Sequence, residues 1–575
     1  MQNKTLRPLV TLIALLLLAS CARTPAEPPS SEAAQPIPIR VYALEGDGQH
    51  METSAYTAYV ERKYNVDLRW DVHPYEEAKA SRQLSVASGT YPDAYILTAY
   101  IDQFSKEETL RYGKQGLFLP LNALIDKHAP NIKAAFEQNA VLRQLNTAPD
   151  GNIYGLVSYS DCYHCSYPNK MWLNAEWLDK LGLEMPRTTD DFKQVLQAFK
   201  TRDPNGNGKM DEIPLSGSIE DFGVRVIPYL MNGFIYDDDR MYVRLNDGRV
   251  EAVANKPEWR EGLRYIRSLY EEGLIDPGAF AQSTDAYRRL GDNRGEVILG
   301  AGAAMHPEIF AGGAGSSGRA RLYAPVPPLA GPYARYAVHD EGGIVPGAKF
   351  AITSKASPEA QVALIKMVDA IYTPEGQIRA ESGEEGIAWR RPVSGEKALA
   401  EGAEPRFAFL APQPGDPPNN SGWIGTGHFY MPKAYRNSWV QGDDIYAANG
   451  YERRLQQATR LYEGNEPKEL FPSWFVWIEP EDGGRGGALQ TNIRRYIEEN
   501  ALRFITGERS LDKDWDAYLE ELNRIGLPAY EALLQKGYDA YHDNRINGGK
   551  GPLTEGPFCI RSMPKFAGAC LFPTV

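Results

Sequence analysis

The tightest constraint on how this chain folds is an alternation of periods just after residue 38. Ile39 to Leu44 reads as a strand, and Ala55, Tyr56, Tyr59 and Val60 then recur at helical spacing. Val66, Leu68, Trp70 and Val72 alternate as a strand does, a helical run covers about 75–88, and Asp93 to Leu97 is strand-like again. A β-α-β-α-β order needs right-handed crossovers, which give a parallel sheet whose ligands sit beyond the carboxyl ends of the strands. The expected class is therefore α/β, with Asp47, Gln49 and Tyr100 facing a cleft.

Ahead of this unit, Lys4 and Arg7 precede an apolar run, Leu9 to Leu18, that ends in Leu18-Ala19-Ser20-Cys21. That run is too short to span a bilayer, which takes about 20 apolar residues, so residues 1–20 read as an export signal. Small residues leading into a cysteine resemble the lipobox of bacterial lipoproteins, which makes Cys21 the expected lipid anchor. Residues 21–38, with Pro25, Pro28, Pro29, Pro36 and Pro38, read as a semi-rigid tether. The formal net charge of −13 argues against nucleic acid or anionic lipid surfaces as partners, because both reward clustered positive charge.

Helical runs follow at 172–181, 189–200 and 256–272, the last with Trp259, Leu263, Ile266 and Leu269 on one face. Strand-like pieces at 297–299 and 350–353 flank a Gly- and Pro-rich stretch, a helix is expected at 358–373, and helices at 488–505 and 514–541 end the body. Residues 400–490 are loop-rich and dense in aromatic side chains.

Asp203-Pro204-Asn205-Gly206-Asn207-Gly208-Lys209-Met210-Asp211-Glu212 sets oxygen-bearing side chains at positions 1, 3, 5 and 9 with glycine at 6, the first nine positions of an EF-hand calcium loop. The twelfth position is Pro214, so Glu212 has to close the shell. Expected ligands are Asp203, Asn205, Asn207, Asp211 and Glu212 with the Lys209 carbonyl, against the alternative of a solvated turn. Cys162, Cys165, Cys559 and Cys570 leave local bridges (162–165 and 559–570), cross-pairing, free thiols and a thiolate zinc site all open. Gly313 to Gly318 matches G-x-G-x-x-G, but an extended, proline-broken segment follows it, which excludes the nucleotide-binding reading. The pair Glu384-Glu385 reads as a solvated helix end rather than glycosidase carboxylates. No catalytic constellation emerges, so no enzyme is expected.

Taken in order, Gly89-Thr90-Tyr91-Pro92-Asp93, Gly116 to Leu121, Ala148 to Gly155, Trp177 to Leu183, the 203–214 loop, Phe504 to Glu508 and Asp514 to Tyr518 resemble the large extracellular solute-binding lipoproteins of bacterial carbohydrate ABC importers, especially alginate-oligosaccharide-binding members. The resemblance implies a two-lobed periplasmic-binding-protein-like fold with a helix-rich second lobe. It also implies a structural calcium ion in the loop, an oligosaccharide ligand and a membrane permease as partner. Lobe 1 is expected over 39–150 with a return near 350–400, and lobe 2 over 151–345. Residues 401–541 complete both, and 542–575 form an extension without an assigned role. A monomer on the extracytoplasmic face of the cell membrane is expected, with an exported polysaccharide-degrading enzyme or a peptide or lipid receptor as the alternatives. Trp423 and Trp389 are the expected stacking platforms for sugar, with Asp47, Gln49, Tyr100, His428, Tyr430 and Arg391 as polar or flanking contacts.

Overall fold

The computed structural model describes residues 35–547, apart from 47, 221–222, 313–316, 341–344, 412–418 and 479. The first lobe opens with β1 (Ile37–Glu45), β2 (Val66–Pro74), β3 (Ala94–Ile96) and β4 (Leu156–Ser160). The chain then enters the second lobe, with β5 (Met171–Asn174), β6 (Ile213–Ser216), the hairpin β7 (Val243–Asn246) and β8 (Arg249–Ala252), β9 (Leu299–Ala303) and β10 (Tyr323–Val326). It returns as β11 (Val345–Ile352), then β12 (Trp389–Arg390), β13 (Ala408–Phe409) and β14 (Tyr430–Met431).

Lobe 1 is a 6-stranded sheet in the order β14-β4-β11-β3-β1-β2, and lobe 2 a 4-stranded sheet in the order β10-β5-β9-β6. β1 pairs parallel with both β2 and β3, as the alternation requires. β11 runs antiparallel between β3 and β4, so the sheet is mixed. Along β1 the period of two divides the core: Ile39, Val41 and Ala43 pack toward helices Ala55–Tyr64 and Pro358–Ile371. Tyr42 and Leu44 pack toward Ala78–Ala87 and Lys106–Lys114 on the other face.

Three local readings change. The helix expected from Trp172 begins at Ala175, capped by the Asn174 side chain, because Trp172 and Leu173 are buried inside the sheet as β5. The piece expected at 297–299 forms at Leu299–Ala303, a Leu-Gly-Ala-Gly-Ala strand without the β-branched signature. Its Gly302 is needed, since a Cβ there would stand 2.3 Å from the Tyr287 hydroxyl. The helix expected over 514–541 divides at Gly526, where φ is +109°, into Trp515–Arg524 and Leu527–Asn547.

The lobes are joined by residues 161–170 between β4 and β5, and by the segment between β10 and β11, described over 327–340. A further segment runs from β14 to helix Tyr451–Thr459, whose Leu455 and Ala458 enter a lobe 2 cluster with Trp172 and Tyr287. The crossings are tied to one another, since the Asp340 amide donates to the Ser166 carbonyl (2.8 Å) and the Ala337 amide to that of Asn465 (2.9 Å). Among the described residues no helix is long and apolar enough to cross a membrane.

Candidate ligand-binding cleft

Beyond the carboxyl ends of β1 and β3 lies a glycine-rich loop, 421–428, contributed from far along the chain. Thr98 and Thr426 share a hydroxyl hydrogen bond of 2.8 Å, and Gln49 Nε2 donates to the Ile424 carbonyl while its Oε1 accepts from Tyr75. Lys349, fully buried on β11, donates to the carbonyls of Thr426 (2.7 Å) and His428 (2.8 Å). Burial pulls its ammonium pKa down to about 7. Gly425 sits at φ +69° with the Tyr100 hydroxyl 2.2 Å from where a Cβ would project, so the loop closes against Tyr100 only with glycine there. Tyr100 itself, just past β3, is 60% exposed.

The opposite wall grows from lobe 2 and the crossings. After β4, Cys162 and Cys165 are disulfide-bonded, and the intervening His164 meets the Glu452 carboxylate at 2.8 Å. Arg436 approaches the same carboxylate at 3.4 Å. Burial holds His164 below its usual range; burial alone would raise Glu452, but His164 and Arg436 outweigh it and keep that carboxylate ionised. The pair is thus a neutral imidazole donating to a carboxylate that Arg436 balances. Beyond β9, His306 Nδ1 lies 3.1 Å from the Tyr451 hydroxyl, and burial lowers its pKa to about 4. Tyr446, 60% exposed, lies under the Arg454 guanidinium at 5.0 Å, and that group donates to the carbonyls of Ala320 and Tyr323.

A separate cavity of about 240 Å³ lies where helix Lys106–Lys114, the crossings and residues 470–478 meet. Two of its acids are answered internally, Asp239 by Arg225 and Asp340 by Arg240, whereas the cleft presents the exposed Tyr100 and Tyr446. The cleft is the better candidate.

Several expected sugar contacts move. Trp423 is core: 1% exposed, it packs edge-on against Tyr56 and Trp70 and donates its Nε1 proton to Thr57 at 2.8 Å. Trp389 is buried too, bonded to the Gly383 carbonyl and packed on Phe407, so neither can stack on sugar. Arg391 lies on the exposed surface of that small unit beside Glu385. Tyr430 is half-buried and stacked on Tyr372, and His428 is half-buried with Nε2 unpartnered. Gln49 is at the cleft, with its amide turned to the loop. Asp47, Cys21, Cys559, Cys570 and the extension after 547 lie outside the described residues, as do Gly313 to Ser316. Sequence reading missed Glu452, Arg436, His306, Tyr446 and Arg454. Apart from His306 they lie in the aromatic-dense stretch 400–490, but no motif marks them.

The 203–212 loop closes on itself. Asp203 Oδ1 accepts from the amides of Gly206 and Asn207 (3.1 Å each), Oδ2 accepts from Gly208 (2.9 Å), and Asn205 and Asn207 turn toward Asp211. Glu212 is 8% exposed and no side chain meets its carboxylate oxygens; burial, with Asp203 and Asp211 adding to it, raises its pKa against the opposing pull of the Glu212 and Asn205 amides. Converging acids with an orphaned buried carboxylate fit a hard divalent cation such as calcium.

A family model for bacterial extracellular solute-binding proteins matches residues 47–378. The chain is 29% identical over 493 residues, covering 84% of it and 87% of the relative, to the fructooligosaccharide ABC transporter substrate-binding protein FusA of Streptococcus pneumoniae. It is similar to the solved FusA EF-hand mutant in complex with fructo-nystose, with a TM-score of 0.71 at 27% identity, covering 88% of this chain and 100% of that one. It is also similar to the alginate-binding protein AlgQ2 (TM-score 0.64, 22% identity, 88% and 98% covered), a likeness of fold alone.

Proposed function

The chain belongs to the bacterial extracellular solute-binding protein family, and on that premise we propose that it captures an oligosaccharide between its lobes and delivers it to the permease of an ABC importer. Its relatives are substrate-binding proteins rather than enzymes, and the proposed role involves no chemistry of its own. The observation that supports the reading is the pair of exposed tyrosines, Tyr100 just past β3 and Tyr446 in the segment between β14 and helix Tyr451–Thr459, with His306 and carboxylates nearby that suit hydroxyl donors and C–H faces. Titration calorimetry of the full chain against tri- and tetrasaccharides should show saturable binding that Tyr446→Ala weakens. Binding of peptides or fatty acids instead would sink the proposal.

Calcium is the proposed cofactor, held by Asp203, Asn205, Asn207, Asp211 and Glu212 with the Lys209 carbonyl. The loop follows helix Thr189–Thr201, away from the cleft, so the role is structural. The FusA structure described as an EF-hand mutant supports this assignment. Lipidation of Cys21 would hold a monomer at the extracytoplasmic face of the membrane, and Cys21→Ser should release it to the medium. Persistent lipid labelling of that variant would overturn the anchor.

A further inference from the structure

The fold leaves open whether the bound oligosaccharide is neutral or carries uronate charges, and the cleft's ionic pairing bears on it. Apart from exposed Lys433, the cations named here are committed to internal acceptors. Lys349 serves the carbonyls of Thr426 and His428, Arg454 those of Ala320 and Tyr323, and fully buried Lys170 that of His164 at 2.8 Å. Arg436 answers Glu452. Exposed Lys433 stands within electrostatic reach of Asp161, whose charge it offsets. The histidines add no positive charge, because burial keeps His306 and His428 neutral.

The carboxylates are placed differently. Asp161, directly after β4, Glu381, beside Tyr100 and Arg436, and Glu308, whose amide meets the Tyr451 hydroxyl, form no ion pair among the described residues. Glu381 accepts only a long bond from Gln377, at 3.3 Å. Such a wall offers acceptors to hydroxyl donors, and an incoming carboxylate would find like charge, with Arg436 and Arg454 already engaged.

We infer that the cleft selects neutral oligosaccharides and rejects uronate-bearing ones. This rests on the cleft being an oligosaccharide site. The rejection is electrostatic, since juxtaposed like charges cost several kcal/mol at interfaces.

Calorimetry on the full chain should use maltotriose, xylotriose and a fructan trimer against trigalacturonate and a mannuronate trimer, at low and at physiological salt. At least one neutral trimer should bind about 100-fold or more tighter than either uronate, with little salt dependence. Glu308→Lys, an exposed substitution, should bring uronate binding up about tenfold or more. Uronates binding as tightly as the neutral sugars would overturn this inference and leave the solute-binding reading intact. Failure of every trimer of both classes would overturn both.

Discussion

The loops at 203–212 and 421–428 are both rich in glycine and small polar residues, yet they are held in opposite ways. The first is built from its own residues: its bonds run among Asp203, Asn205, Gly206, Asn207, Gly208 and Asp211. The second is fixed by distant partners, including Thr57, Thr98, Ser158, Lys349 and Ala380. Local spacing can describe the first kind of loop. The second takes its conformation, and the burial of its tryptophan, from segments hundreds of residues away.

Breaking the long-range loop should have the largest effect. Trp423→Ala removes a side chain packed against Tyr56 and Trp70 and should lower stability by about 3–5 kcal/mol, as large-to-small core substitutions of aromatics do. Thermal melting should fall while its rise with calcium persists. A variant that melts like wild type but binds sugar weakly would return Trp423 to the cleft.

Trp423 also shows where the sequence stopped being informative. A tryptophan among glycines, in no helical stripe, reads as projecting; what buries it is the indole–Thr57 bond and the rings of Tyr56 and Trp70, none of which leaves a mark near residue 423. By contrast the parallel pairing of β1 with β2 and β3 was legible, because alternation and crossover geometry are properties of consecutive residues. The place of Tyr100 just past the end of β3 was legible for the same reason. His306 and Glu452 were not, since the cleft wall they form exists only once β9 and helix Tyr451–Thr459 meet.

Next in size is Lys349→Met. It leaves the Thr426 carbonyl without its Lys349 donor and the His428 carbonyl with the Ser158 hydroxyl alone, at about 1–3 kcal/mol for a carbonyl left unmet. The cost should be about 3 kcal/mol in denaturant unfolding. Rescue by Lys349→Arg is not expected, because the packed ammonium site has no room for a planar fork.

His428 tests the same loop by pH. Burial, then Lys349 and Arg436, holds its pKa near about 3 against an ordinary 6.5. Between those values the unfolded chain takes up a proton that the folded chain refuses. Its contribution is therefore complete above 6.5 and is lost as pH falls toward 3. From pH 7.5 to 5 the loss is about 2 kcal/mol. Asp239, raised by burial to about 6, titrates in the opposite sense, so the informative quantity is the difference between wild type and His428→Asn. That difference should shrink or reverse on acidification, and a pH-independent gap would show that His428 titrates in the fold as it does in the unfolded chain.

The smallest effect belongs to the local loop and changes sign with calcium. Without the ion, Glu212 holds a buried carboxylate, met by no side-chain donor and offset only in part by the Glu212 and Asn205 amides, beside Asp203 and Asp211. Glu212→Gln removes that charge, so in chelator the variant should melt slightly higher than wild type, by about 1 kcal/mol of stability. With calcium at tenfold over its Kd, wild type gains about 1.4 kcal/mol by linkage, and the variant, short of a charged ligand, should gain much less. The two melting curves should therefore cross as calcium is added. Asp203→Ala separates the alternatives: it removes the acceptor of the Gly206, Asn207 and Gly208 amides and should lose stability both with and without the ion. A Glu212→Gln protein less stable than wild type in chelator would mean that the carboxylate has a partner without calcium, and the loop would then be a turn rather than a cation site.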